Sequence, residues 1–194
     1  MVMIDKHEAG SINSLRPAGV CDPGLRALGR HKCGHGGRGG RPSSSYLSAG
    51  QSESYGKPHG TCKRGSGGGG SYGGAGGGAL YIESNFVELE GIISANGEDA
   101  TGSSSGGGAG GSIFIFTNLL LGGGRISAVG GRGGTNGGGG AGGRISIEHQ
   151  FENLFTGQVF ANGGRPGKYH VHDQGHQRLL ESVCTLRQTG RSVT

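Results

Sequence analysis

Apolar residues are scattered through the first third of the chain, but from about Gly73 to Gly164 they fall into short alternating runs set between glycines. The segments Gly77-Gly-Ala-Leu-Tyr-Ile82, Gly110-Gly-Ser-Ile-Phe-Ile115 and Gly142-Gly-Arg-Ile-Ser-Ile147 stand 33 and 32 residues apart. A second block, Ile92-Ile-Ser-Ala-Asn-Gly97, Arg125-Ile-Ser-Ala-Val-Gly130 and Gln158-Val-Phe-Ala-Asn-Gly163, recurs at 33 residues both times. Two blocks repeating three times in one order indicate a tandem repeat, since composition alone would not keep the order.

Inside each block the period is two. Leu80 with Ile82, Ile113 with Ile115 and Ile145 with Ile147 share one face, as do Ile93 with Ala95, Ile126 with Ala128 and Val159 with Ala161. The pattern predicts half-buried strands. Between the blocks lie further apolar stretches at 86–89 and 119–121 and at Leu154 with Phe155, expected to bring a third wall to the same core. A repeat of this length with short strands and glycine corners predicts an all-β fold: a short, glycine-rich parallel β-solenoid of about three coils of 32–33 residues, with irregular or disordered termini. Glycine suits the corners because tight turns need positive φ and stacked backbones approach closely. The runs at 106–111 and 137–143 are longer than a turn requires and are expected to pack as extended glycine strands along one side.

The rest of the chain divides by composition. Residues 1–33, interrupted by Pro17 and Pro23, read as an irregular arm; 34–72 as a Gly/Ser/Arg-rich linker leading into the repeats; 73–167 as the repeat domain; and 168–194 as a polar tail. Burial of the repeats' few apolar side chains falls short of the entropy lost in ordering so much glycine. Backbone ladders must supply part of the difference. The outer edges also call for cover, from further coils, the chain's own tails or a partner.

Composition narrows the function classes. With 49 Gly and no Trp in 194 residues, the chain has little material for a deep apolar pocket. A net charge of +5 permits contact with any polyanion, but no run of five basic residues marks a dedicated site. Cys21, Cys33, Cys62 and Cys184 form no Cys-x-x-Cys pair; their even number allows two disulfides with open connectivity. The first residues lack the apolar core of a secretory signal, and no stretch is long enough to span a membrane as a helix. As it stands the sequence is expected to be cytoplasmic; as part of a larger protein, extracellular or at the cell surface.

Candidate chemistry is thin. His31, Cys33 and His35, with Cys62, place metal-ligating types together but match no common zinc spacing, and His170, His172 and His176 read as a polar tail. Arg38 and Arg132 each open an Arg-Gly-Gly triplet of the kind found in RNA-binding tails, though two isolated copies are far from the dense arrays that work this way. Gly-x-Gly-x-x-Gly matches arise by chance in such a chain, and no Gly-Lys-Ser/Thr follows one. Glu83, Glu88, Glu90, Glu98 and Asp99 all fall in the first repeat without counterparts later, which reads as solvent-facing charge and not as a catalytic carboxylate pair. No catalytic, cofactor-binding or metal-binding residue is assigned, and no cofactor is expected.

The succession Gly34-His-Gly-Gly-Arg-Gly-Gly40, Tyr55-Gly56 with Pro58, Gly65-Ser-Gly-Gly68 and then the two repeat blocks resembles the glycine-rich repeat region of very large surface and secreted proteins of animals, protists, plants and bacteria. The resemblance spans roughly 34–164 and implies a β-solenoid-like stalk or adhesive region without catalytic residues. After Gly164 such regions continue with another glycine-rich strand and a Gly-Thr-Val-Tyr-like element, whereas 168–194 and the first 30 residues are foreign to the pattern. The sequence therefore points to a structural or adhesive module, with further repeats, surface or matrix proteins or polysaccharide as partners. A glycine-rich RNA-binding protein is the alternative.

Overall fold

The computed structural model describes residues 63–168 together with three strand segments outside them. The described chain is all-β and has no helix. In chain order the strands are β1 (Val2–Ile4), β2 (Ser11–Asn13), β3 (Ala79–Leu89), β4 (Ile92–Ser94), β5 (Ser112–Gly122), β6 (Arg125–Ser127), β7 (Arg144–Phe155), β8 (Gln158–Phe160) and β9 (Cys184–Gln188). They form two parallel sheets, one ordered β1-β3-β5-β7-β9 and the other β2-β4-β6-β8.

The register carries the repeat. Leu80, Ile113 and Ile145 stand opposite one another, as do Ile82, Ile115 and Ile147; in the short sheet Ile93, Ile126 and Val159 align. Each repeat runs out along a long strand, turns, and comes back along a short one. Gly122, with φ of 109°, makes that turn in the middle repeat, where a side chain would be strained. The side chains facing inward from both sheets make one core: Ile113, Ile115, Leu120, Ile126, Ile145 and Ile147 are all essentially inaccessible.

One expectation changes. The stretch expected as a third wall is the second half of the long strand itself, because nothing between Ile82 and Phe86 breaks extended backbone. Inward alternation is instead reset at one point, where the Ser84 hydroxyl donates to the Phe86 carbonyl (3.0 Å) and the buried Thr117 hydroxyl donates to that of Leu119 (3.0 Å). Three short segments outside 63–168, β1 and β2 before it and β9 after it, stand in register with the repeat strands. The end of the 34–72 linker is packed as well: Gly65 to Gly69 are buried.

At the glycine end the two layers close onto each other, and hydrogen bonds take the place of side chains. Along 106–111 the amides of Gly106 and Ala109 donate to Gly69 and Ser66, those of Gly107 and Gly110 to Gly138 and Ala141, and those of Gly108 and Gly111 to Glu98 and Ala95. Every third amide thus points to the same neighbour. That is the symmetry of a threefold extended helix, with successive amides about 120° apart around its axis. A sheet strand bonds to two neighbours, but this segment bonds to three. It can do so because glycine leaves all three directions open: a Cβ on Gly108 would overlap the Ala75 carbonyl, and one on Gly131 that of Glu98.

The mixed spacing of 32 and 33 residues has a local cause. Asp99 and Arg132 correspond at 33 residues, but the next turns, in which Gly102 bonds Ser105 and Gly134 bonds Gly137, correspond at 32. One residue is missing there. A bulge in β7 restores it, since one residue lies between Thr117 and Leu119 but two lie between their partners His149 and Glu152. The compensation returns Val159 to the core face opposite Ile126.

Candidate binding surface

The inner faces being filled, the site that remains is the outer face of the long sheet. Parallel sheets are usually covered on both faces and read as continuous apolar runs. β5 reads in that way: Ile113 and Ile115 point in, while Phe114, Phe116, Leu119 and Leu121 point out and are only partly buried. Tyr81 stacks on Phe114 with ring centroids 5.2 Å apart and planes at 2°, as the cross-strand register of Tyr81 and Phe114 allows. Leu154, on β7 beside Leu121, is 54% exposed, and Phe151, at the bulge, is 66% exposed. Carboxylates interleave with these groups: Glu83 accepts from the Tyr81 hydroxyl at 2.8 Å, and Glu148 lies on β7 opposite Phe116. The Asn118 amide donates to Asn85 at 3.2 Å across the same face. The result is a rigid aromatic and aliphatic surface bordered by acid, suited to stacking and apolar contact.

The acidic residues of the first repeat do more than face solvent. Asp99 accepts from the Arg132 amide (2.6 Å), Glu90 from the Gly123 amide (3.1 Å) and Glu98 from the Ala75 amide (3.4 Å). Asp99 and Glu90 each reach the residue 33 positions later, tying one repeat to the next. Asn96 does the same from a half-buried position, accepting from the Val129 amide (2.7 Å) and the Ser127 hydroxyl (2.7 Å). Sequence reasoning missed these ties because they depend on register, which neighbouring residue types do not reveal. Asn96→Ala is expected to lower stability by about 1–3 kcal/mol, since it strands a backbone donor and a hydroxyl; the shift in a urea unfolding midpoint measures it.

Arg125, Arg132 and Arg165 lie apart from the aromatic face, on the turn and return side of the repeat. Arg125 sits over the Phe160 ring at 5.0 Å and donates to Gln158 at 3.2 Å. Arg132 and Arg165, one repeat apart, are exposed. Of the two Arg-Gly-Gly triplets, the one at Arg132 belongs to the glycine rows, where the Gly133 amide donates to the Arg165 carbonyl; the one at Arg38 lies outside the described residues. So do His31, Cys33, His35, Cys62, His170, His172 and His176. Among the described residues no three of His, Cys, Asp and Glu are grouped to hold a metal ion, and no helix is long and apolar enough to cross a membrane. No family model, curated protein or solved structure matches the chain.

Proposed function

We propose that this chain is a structural or adhesive repeat module, a short glycine-rich β-solenoid that presents the outer face of its long sheet to a surface or matrix partner. The observation that carries the reading is that face: Tyr81, Phe114, Phe116 and Leu154 left partly or wholly accessible on a scaffold whose every repeat is tied to the next. The reading assigns no reaction to the chain, and it places the module outside the cell as part of a larger surface or secreted protein. Polysaccharide or a matrix protein is the partner class that stacking aromatics beside hydrogen-bonding carboxylates and amides would suit.

The test is retention of the chain on immobilised polysaccharides and matrix proteins. Phe114→Ser with Phe116→Ser, confirmed as folded by circular dichroism, is expected to weaken retention about tenfold or more, the equivalent of 1.4 kcal/mol or more. Retention unchanged in the double variant sinks the reading. The alternative, RNA binding, is driven by exposed arginines and predicts the opposite dependence: RNA is retarded at low salt, the aromatic variant behaves as wild type, and Arg132→Gln with Arg165→Gln abolishes the shift.

A further inference from the structure

Asn-Gly occurs three times in the chain, at Asn96-Gly97, Asn136-Gly137 and Asn162-Gly163. The pair is chemically labile. Glycine has no side chain to hinder its own amide nitrogen or to limit its backbone, so that nitrogen can reach the side-chain carbonyl carbon of the preceding asparagine and close a five-membered ring. Within a fold the reaction needs an asparagine side chain free to turn and a glycine amide free to leave its place. The three copies differ in both respects.

At the first copy the Asn96 Oδ1 is fixed by the Val129 amide (2.7 Å) and the Ser127 hydroxyl (2.7 Å), and the Gly97 amide donates to the Val129 carbonyl (2.8 Å). At the second the Gly137 amide donates to the Gly134 carbonyl (2.8 Å) and the Asn136 amide to that of Ser103 (2.6 Å). Both glycines are also hemmed in by backbone: a Cβ on Gly97 would overlap the Gly108 carbonyl, and one on Gly137 that of Ser105. At the third copy these restraints are gone. Asn162 and Gly163 are both exposed, and the Gly163 amide donates to no group among the described residues. A Cβ on Gly163 would meet only ordinary contacts, the Gly140 carbonyl oxygen at 3.4 Å and the Gly142 nitrogen at 3.8 Å. The cause is position in the stack. Asn96 ties itself to the repeat that follows it, whereas Asn162, two repeats on, belongs to the last of the three and has no such tie among the described residues.

We infer that Asn162 is a site of spontaneous deamidation and isoaspartate formation, and that the fold protects the other two copies. The Gly163 nitrogen gives its proton to solvent hydroxide and bonds to Asn162 Cγ; the Cγ–Nδ2 bond breaks, and ammonia leaves with a proton taken from water. The succinimide so formed takes up one water. Opening at Cγ gives aspartate, and opening at the former backbone carbonyl carbon gives isoaspartate, with the chain running through the side chain. In sum one water is consumed and one ammonia released, without oxidant or reductant, and one carboxylate is gained. The isoaspartyl product lengthens the main chain by a methylene between two anchored points. One is the Asn162 carbonyl, which accepts from the Gly130 amide (2.9 Å); the other is the Gly164 amide, which donates to the Gly140 carbonyl (2.8 Å). The first anchor becomes a side-chain carboxylate, and the row beginning at Gly164 loosens from the glycine layer. The module thus carries a chemical clock at its last repeat.

The full chain, aged at mildly alkaline pH and mapped by proteolysis and mass spectrometry, is expected to convert Asn162 about tenfold or more faster than Asn96 and Asn136, which react only through local opening. The same incubation in urea supplies the reference. Asn136 and Asn162 are each followed by two glycines, so the unfolded chain is expected to convert them at nearly equal rates. Gly163→Ala, whose Cβ the fold accommodates, is expected to slow conversion at Asn162 about tenfold or more with the circular dichroism unchanged. In the isoaspartyl form, hydrogen exchange at the Gly164 amide is expected to quicken. Equal rates at the three sites in the folded chain, a preference for Asn162 that persists in urea, or undiminished conversion in Gly163→Ala would each overturn the inference, and unaltered exchange at Gly164 would overturn the clock. Retention on polysaccharide or matrix protein enters none of these measurements, so the adhesive reading stands or falls separately.

Discussion

Gly108→Ala is expected to cost about 3 kcal/mol or more, at the upper end of what overpacking does, and to lower the thermal midpoint of the far-ultraviolet circular dichroism signal steeply. Gly108 is buried in the middle of the glycine rows, donating to the Glu98 carbonyl at 2.9 Å and accepting from the Gly131 amide at 2.8 Å. A Cβ there would overlap the Ala75 carbonyl group, which is backbone and bonded in turn to the Glu98 amide. No rotamer relieves such a clash. The rows must separate, and separation breaks bonds in more than one direction. Gly123→Ala is the internal control. Its Cβ would meet nothing nearer than the ends of two side chains, Glu90 at 3.8 Å and Thr156 at 3.9 Å, so the same chemical change there is expected to shift stability by less than about 0.5 kcal/mol. Equal effects at the two positions would show that the rows are not in close backbone contact.

Ile126→Ala is expected to remove about 2–5 kcal/mol, and Ile126→Val about 0.5–1.5 kcal/mol, by loss of buried methyl groups and the cavity left behind. Ile126 is fully buried, stands between Ile93 and Val159 in the short sheet, and faces the isoleucines of the long sheet across the core. The short strands have three residues each, so this column is their main apolar attachment. Urea unfolding followed at several wavelengths measures the loss. A cost below about 1 kcal/mol for the alanine variant would mean that the layers do not share a core.

These two positions also show what the sequence could and could not tell. The Ile126 column was legible: period-two alternation names the inward residues, and the constant offset of 33 names their partners. The glycine rows were legible as extended segments, but their three-way bonding was not, because a run of glycine has no internal mark to say which amide meets which neighbour. The strands outside the repeats were hidden for a related reason. Val2–Ile4, Ser11–Asn13 and Cys184–Gln188 are too short to show a period, and only register against Val87, Ile93 and Ile145 reveals them. The outer aromatic face was in view all along in Phe114 and Phe116. A continuous apolar run does not mark it, because such a run identifies a strand without saying which of its two faces is covered.

The side-chain-free layer has a consequence for how such a chain can change over generations. Apart from stop codons, every non-silent single-base change at a glycine codon adds a Cβ, so the rows around Gly108 and Gly131 offer selection no gentle intermediate. Copying a whole 33-residue unit, by contrast, brings matching acceptors and donors with it and needs no repair inside the layer. Gene duplication, more than gradual substitution, is therefore the route by which an array of this design lengthens.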